Sequence, residues 1–216
     1  NDDRGPHEHR LAAAGWKGLP AMAFFKGVGG SSLNVPARLG LAHERVRFVG
    51  EPVAVIVAET EPMAQDAAEL IAVEYEDLPV LVEAADASAA DAVRIHDEVA
   101  GNLAFEYEYG NREAADQAMA AAAHVVRVKV RAQRIAGSPM EPKSAVAAYD
   151  AANDSFELAA PTQGISDIKN TLAAIIGLPA ERFRIRSADV GGGFGIRNEV
   201  YPEFLALLLA AKRSGR

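Results

Sequence analysis

The stretch Val190-Gly191-Gly192-Gly193-Phe194-Gly195-Ile196-Arg197 decides how this chain is read. It follows apolar positions at Phe183 and Ile185 that read as a strand, and it precedes an apolar run from Phe204 to Leu209 that reads as a helix. Consecutive glycines uncover backbone N–H groups and accept positive φ, the two properties an anion cradle needs. The spacing is not that of a phosphate loop, because GxxxxGK[ST] fails. It is not a dinucleotide fingerprint either, because the third glycine would fall on Ile196. By its own chemistry the stretch is an anion- or cofactor-contacting loop or a plain tight turn.

The sequence around it alternates between helical and extended signals. Ile165, Ile168, Leu172, Ile175 and Ile176 form a helical stripe that stops at Gly177, with Pro179 two residues on. Residues 144–149 and 155–160 read as a hairpin about Asn153-Asp154. Val126, Val128 and Val130 alternate with Arg127, Lys129 and Arg131, the pattern of a half-exposed strand. Asn111 is placed to cap an alanine-rich helix over 113–123. Nearer the start, Pro52-Val53-Ala54-Val55-Ile56-Val57-Ala58 is an almost continuous apolar run, expected of a strand covered on both faces. Thr60 reads as an N-cap with Pro62 in the first turn, followed by Met63, Ala67, Leu70 and Ile71 on one face. Val73, Tyr75, Val80 and Val82 read as short extended pieces around Asp77-Leu78-Pro79. Residues 1–40 show no sustained period. Their His7-Glu8-His9 cluster lacks the HExxH spacing of a helical metal site, so no metal is assigned there. Phe204, Leu205, Leu207, Leu208 and Leu209 leave almost no polar face, so that helix is expected to be buried nearly all round.

Composition narrows the function classes. The chain has 216 residues, enough for one large core or two small ones, with half its residues apolar and 24% charged. No run of eighteen apolar residues exists, and no leader-like segment follows Asn1, so the expectation is a cytoplasmic protein without a transmembrane segment. Residues 1–110 carry 8 Lys/Arg against 19 Asp/Glu, and residues 111–216 carry 14 against 11, for a net charge of −8. An acidic chain without a basic face is a poor partner for nucleic acid. The mildly basic second half can favour a small anion. Cysteine is absent, which removes thiolate nucleophiles, zinc on sulfur and iron–sulfur ligation.

Four stretches in register resemble a known family. Gly191 to Glu203, read as G-G-G-F-G-x-[KR]-x-x-x-Y-P-E, resembles the loop of the large, molybdopterin-binding subunit of molybdenum hydroxylases. That family includes xanthine dehydrogenase, aldehyde oxidase and carbon monoxide dehydrogenase. Val46-Arg47-Phe48-Val49-Gly50-Glu51-Pro52-Val53-Ala54 resembles the signature of the family's α/β-hammerhead domain. Met140-Glu141-Pro142 precedes a strand as it does there, and Thr162-Gln163 opens the helix upstream of the glycine loop. The resemblance covers about residues 41–216.

The resemblance implies an α+β fold with an irregular segment over 1–40, a hammerhead domain over 41–120 and the N-terminal part of a cofactor domain over 121–216, truncated at the end. It implies that Gln163, Gly192, Gly193, Phe194, Gly195 and Arg197 contact a molybdenum-pyranopterin cofactor, as molybdopterin or its cytosine dinucleotide. Gln163 would hydrogen-bond an oxygen ligand of the metal. No catalytic residue and no protein ligand to the metal are assigned, since the family's base glutamate is expected beyond Arg216. Glu141, Glu199 and Glu203 are not promoted to that role: Glu141 is expected to be structural, and Glu203 to balance a helix N-terminus. A purine substrate is disfavoured because Asn198 occupies the position where the purine branch carries a substrate-contacting glutamate. The implied activity is hydroxylation of an aldehyde or N-heterocycle, or oxidation of carbon monoxide, with water-derived oxygen. Electrons would pass to an iron–sulfur small subunit and an FAD-binding medium subunit. The segment alone is expected to be inactive and to carry no cofactor. The rival is a non-catalytic degenerate homologue or an assembly and partner-binding module; an unrelated phosphate-binding α/β domain would leave three of the four stretches unexplained.

Overall fold

The computed structural model describes residues 26–34, 36 and 38–216. The His7-Glu8-His9 cluster lies outside the described residues. Two compact units are present. Among the described residues, one holds 38–81 and 137–216, and the other holds 26–34, 36 and 82–136.

The first unit owes its order to a three-stranded sheet: β1 (Val146–Asp150), β2 (Ser155–Ala159) and β3 (Phe183–Arg186), in that spatial order. The expected hairpin forms. β1 and β2 pair antiparallel with Tyr149 opposite Phe156, and β3 joins parallel to β2 with Phe183 opposite Phe156. The turn is fixed by local acceptors. Asp150 Oδ1 accepts from the Ala152 N–H at 2.9 Å, and its Oδ2 accepts from the Asn153 amide at 2.6 Å. Those two donors hold the Asp150 carboxyl below the ordinary carboxylate range. The Tyr149 hydroxyl donates to Asp154 Oδ1 at 2.7 Å across the turn.

Register puts one apolar row above another on a single face. Tyr149, Phe156 and Phe183 form an aromatic file, with ring centroids 4.9 and 5.4 Å apart, and Ala147, Leu158 and Ile185 form the next row. The opposite face is wet: Arg184 and Arg186 pair with Glu157 there. A parallel connection from β2 to β3 needs a crossover, and α3 (Ile165–Ile176) supplies it. Its Ile168, Leu172, Ile175 and Ile176 are buried in the same core as Phe156, Leu158, Phe183 and Ile185. Each such side chain contributes about 1.5–3 kcal/mol by leaving water. Gly177 ends α3 at φ +78, a left-handed position that a residue with a Cβ adopts only at a cost, as the Gly177–Pro179 signal predicts.

The last helix, α4 (Pro202–Ser214), covers β1 and part of β2. It is not buried all round. Leu205, Leu208 and Ala211 form one fully buried stripe, whereas Phe204, Ala206, Leu207, Leu209 and Ala210 are half-buried. A groove of about 520 Å³ lined by Leu41, Val55, Val57, Leu205 and Leu209 follows its second face. The sequence reports how apolar the helix is; the number of layers over it is a tertiary property.

Two expected strands do not pair. Residues 52–58 run extended without a ladder partner among the described residues, and Val55 and Val57 are exposed. Residues 126–131 likewise have no ladder partner among the described residues, and Val126, Val128 and Val130 are about four-fifths exposed. A run of apolar residues encodes a demand for burial. Pairing also needs a neighbour in register. The two caps form as read. Thr60 Oγ1 accepts from Met63 N–H at 3.4 Å at the head of α1 (Glu61–Glu69), and Asn111 Oδ1 accepts from Ala114 N–H at 2.9 Å at the head of α2 (Arg112–Ala121). In the second unit Asn102 gathers the loop before it, accepting from Ile95 N–H and donating to the carbonyls of Ala87 and Val93.

Candidate functional site

The glycine loop joins β3 to α4, and its shape follows from three positive-φ residues. Gly192 has φ +104, Gly195 has φ +82, and Phe194 sits at φ +49. A phenylalanine in the left-handed region is an unusual expense, of order 1–3 kcal/mol, and such outliers cluster where function fixes the backbone. Phe194 is 73% exposed, so core packing does not explain it. Within the loop, Ile196 N–H donates to Gly193 carbonyl at 3.0 Å, closing a tight turn. The N–H groups of Gly192, Gly193, Phe194 and Gly195 have no acceptor among the described residues.

Gln163 reaches this loop. It lies in the turn ahead of α3, whose N-cap is Gly164, so it precedes the helix by two residues. Its side-chain amide lies directly against Gly193: a Cβ built on that glycine would stand 2.6 Å from Nε2. Only a residue without a side chain permits that approach. The backbone of this turn is held as tightly. Thr162, 7% exposed, donates its hydroxyl to the Arg197 carbonyl at 2.9 Å, and Gln163 N–H donates to the same carbonyl at 3.1 Å. Ser187 Oγ accepts from the Thr162 N–H at 3.1 Å.

Arg197 turns inward. Its side chain is 1% exposed, and Nη2 donates to the Glu141 carbonyl at 2.6 Å and pairs with the Glu141 carboxylate at 3.1 Å. Its Nε and Nη1 are buried without an acceptor among the described residues. A buried guanidinium normally fills its donors, so the vacancy on two nitrogens calls for an acceptor. The Glu141 carboxylate also accepts from Gly191 N–H at 2.8 Å. At the far end the Tyr201 hydroxyl donates to the Ile196 carbonyl, and Lys143 Nζ sits 3.3 Å from the centroid of the Tyr201 ring.

The structure thus brings Gln163, Gly192, Gly193, Phe194, Gly195 and Arg197 into one neighbourhood. Sequence reading missed Thr162 and Ser187 as supports, the junction of Glu141 with Arg197, and Lys143 over Tyr201. A charged Arg197 between an isoleucine and the apolar α4 was a signal that a counter-charge had to be found; nothing in the sequence points from Lys143 to Tyr201. Glu199 pairs with exposed Arg38 at 3.0 Å, and Glu203 stands in the first turn of α4, as its helix-balancing role requires.

Residues 95–216 match the family described as the molybdopterin cofactor-binding domain, and residues 18–79 match the α/β-hammerhead domain of aldehyde oxidase and xanthine dehydrogenase. The chain belongs to the molybdopterin cofactor-binding family. It is 33% identical over 175 residues to a 6-hydroxypseudooxynicotine dehydrogenase complex subunit gamma of Paenarthrobacter nicotinovorans, covering 81% of this chain and 22% of that one. It is 29% identical to a carbon monoxide dehydrogenase large chain of Hydrogenophaga pseudoflava, covering 82% and 23%. The structure of quinoline 2-oxidoreductase from Pseudomonas putida 86 superposes with a TM-score of 0.82 at 31% identity, covering 97% of this chain and 26% of that one. The chain therefore spans about a quarter of the length of these relatives. The α+β reading and the hammerhead-then-cofactor order agree with both matches. No described helix is long and apolar enough to cross a membrane.

Proposed function

We propose that this chain supplies the first wall of the cofactor site in the large subunit of a molybdenum hydroxylase, the whole of which hydroxylates an aldehyde or N-heterocycle, or oxidises carbon monoxide, with oxygen from water. The observation that carries the proposal is Gln163 lying against Gly193 where no Cβ fits, beside a run of loop N–H groups without acceptors among the described residues. The donor set suits an anionic, oxygen-rich group. Gln163, Gly192, Gly193, Phe194 and Gly195 offer neutral N–H donors that do not titrate, and Arg197 offers a buried cation whose Nε and Nη1 have no acceptor among the described residues. When bound, a molybdenum-pyranopterin supplies two-electron oxidation and a water-derived oxygen.

The chain's own residues orient and stabilise. The Gln163 backbone N–H donates to the Arg197 carbonyl and anchors the turn from which the side-chain amide is presented beside Gly193. Hydrogen bonds to a charged oxygen contribute about 1.5–3 kcal/mol each. The free N–H groups of the loop act in the same sense on whichever oxygens lie over them. An iron–sulfur chain that carries electrons away belongs to this reading, because cysteine is absent here; a general base and an FAD-binding chain belong to it as parts of the whole enzyme. The cofactor's nucleotide form and a cytoplasmic location complete the reading, as does the inactivity of the 216-residue chain on its own.

The test is Gln163→Ala in the cofactor-loaded large subunit that carries this sequence, assembled with its partner chains. The expected result is a kcat lower by about 10²–10³ at little-changed KM and unchanged molybdenum per protein. Unaltered kinetics refute the role. For the isolated 216-residue chain, metal analysis should find little molybdenum; near-stoichiometric molybdenum with turnover overturns that part.

A further inference from the structure

We propose that Glu141 is a positioning residue whose one carboxylate oxygen ties both ends of the glycine loop together and thereby keeps Gly193 against the Gln163 amide. The inference rests on the reading above and deepens it: it names what holds the wall in shape.

Glu141 Oε2 accepts from Gly191 N–H at 2.8 Å and from Arg197 Nη2 at 3.1 Å. Gly191 opens the loop and Arg197 closes it, so a single oxygen spans a seven-residue segment. The Glu141 backbone adds a second grip, its carbonyl accepting from Nη2 at 2.6 Å. Steric fit supports the same arrangement independently. A Cβ on Gly191 would stand 2.5 Å from the Glu141 Cβ, so glycine is required for the carboxylate to reach the loop amide.

The tie continues to Gln163. The carbonyl of Arg197 receives the Thr162 hydroxyl and the Gln163 N–H. Gly191, Glu141, Arg197, Gln163 and Gly193 therefore form a closed circuit, joined by hydrogen bonds on three sides, by contact between Gly193 and the Gln163 amide on the fourth, and by the loop backbone on the last. A generic ion pair would bind one side chain to another. This pair joins the Met140-Glu141-Pro142 stretch to both ends of the loop, and each of those ends carries or borders a residue of the proposed wall. An ion pair with one buried partner resists opening, because parting it strands the guanidinium without its counter-charge.

Amide hydrogen exchange and side-chain NMR on the 216-residue chain test the circuit without any cofactor. Glu141→Ala should accelerate exchange of the Gly191 amide at least tenfold and shift the Gln163 side-chain amide resonances, while the amides of Leu172 and Ile175 keep their protection. Glu141→Gln, which keeps an acceptor and loses the charge, should fall between wild type and Ala; it also serves if the alanine variant does not fold. An unchanged Gly191 amide, an unshifted Gln163 amide, or an equal loss of protection at Leu172 overturns the proposal. In the loaded subunit Glu141→Gln should lower kcat with KM held. Local loosening seen by exchange together with unaltered turnover upholds the circuit and counts instead against the cofactor reading.

Discussion

Substituting Gly193 with alanine separates the stability of the loop from its work. Gly193 is the glycine of the loop whose obstacle is the Gln163 side-chain amide. Its φ lies outside the left-handed region, so alanine is tolerated by the backbone. The new Cβ, however, would stand 2.6 Å from the Gln163 Nε2, closer than real Cβ contacts come. The obstructing atoms are the end of a flexible side chain, so Gln163 moves aside by rotating. An off-rotamer displacement costs about 0.5–1.5 kcal/mol, which for a chain of this size lowers Tm by only about 1–6 °C. Gly192 is the contrast. It has φ +104 and its Cβ would meet the rigid Pro139 ring at 2.9 Å, so alanine there strains backbone and packing together, and the loss should be clearly larger. The assay is paired: thermal unfolding of both variants, and the side-chain amide resonances of Gln163. Gly193→Ala should shift those resonances with a small Tm change, and in the cofactor-loaded subunit it should cut kcat about as far as Gln163→Ala does. Equal destabilisation by both variants, or Gln163 resonances unmoved by Gly193→Ala, would refute the steric reasoning.

Two further outcomes follow from the packing and the charges. Leu208 is fully buried in the core between α4 and the sheet, and Leu208→Ala should cost about 2–5 kcal/mol by chemical denaturation; a loss below 1 kcal/mol would mean that α4 does not seal this core. Donation from the Tyr149 hydroxyl, helped by Lys212, holds the Asp154 carboxyl below its usual value near 3.8. A depressed carboxyl adds stability above its unfolded pKa and loses it as pH falls through the lower, folded value. Melting measured from pH 5 down to pH 2 should therefore fall less steeply in Asp154→Asn than in wild type, and parallel curves would remove Asp154 from the acid limb.

What could be read in the sequence was whatever chemistry acts between near neighbours. The Asn153-Asp154 turn, the caps at Thr60 and Asn111 and the Gly177 stop are each decided within about four residues, and each forms as read. The glycine loop was legible for the same reason: its amides and its permissive φ are properties of the segment itself. The failures are all properties of a second partner. Residues 52–58 and 126–131 are apolar enough to be strands, yet the described residues offer them no ladder, because hydrophobicity does not specify which backbone answers it. The same limit hid Glu141. Read alone, it is a carboxylate in a Met-Glu-Pro stretch, 50 residues before Gly191 and 56 before Arg197. Its role exists only where those three meet. Arg197, by contrast, announced half of the arrangement, since a guanidinium beside an apolar helix must find an anion or stay in water. Its Nη2 has found one, and its Nε and Nη1 have none among the described residues. The same accounting that located Glu141 thus leaves two buried donors over, on a side chain whose own backbone closes the loop of the proposed wall. Arg197→Lys, which keeps the charge but forfeits the fork, should weaken both interactions: the Gly191 amide should lose protection, and the loaded subunit should retain less molybdenum. Retention at the wild-type level would confine Arg197 to the tie with Glu141 and remove it from the cofactor wall.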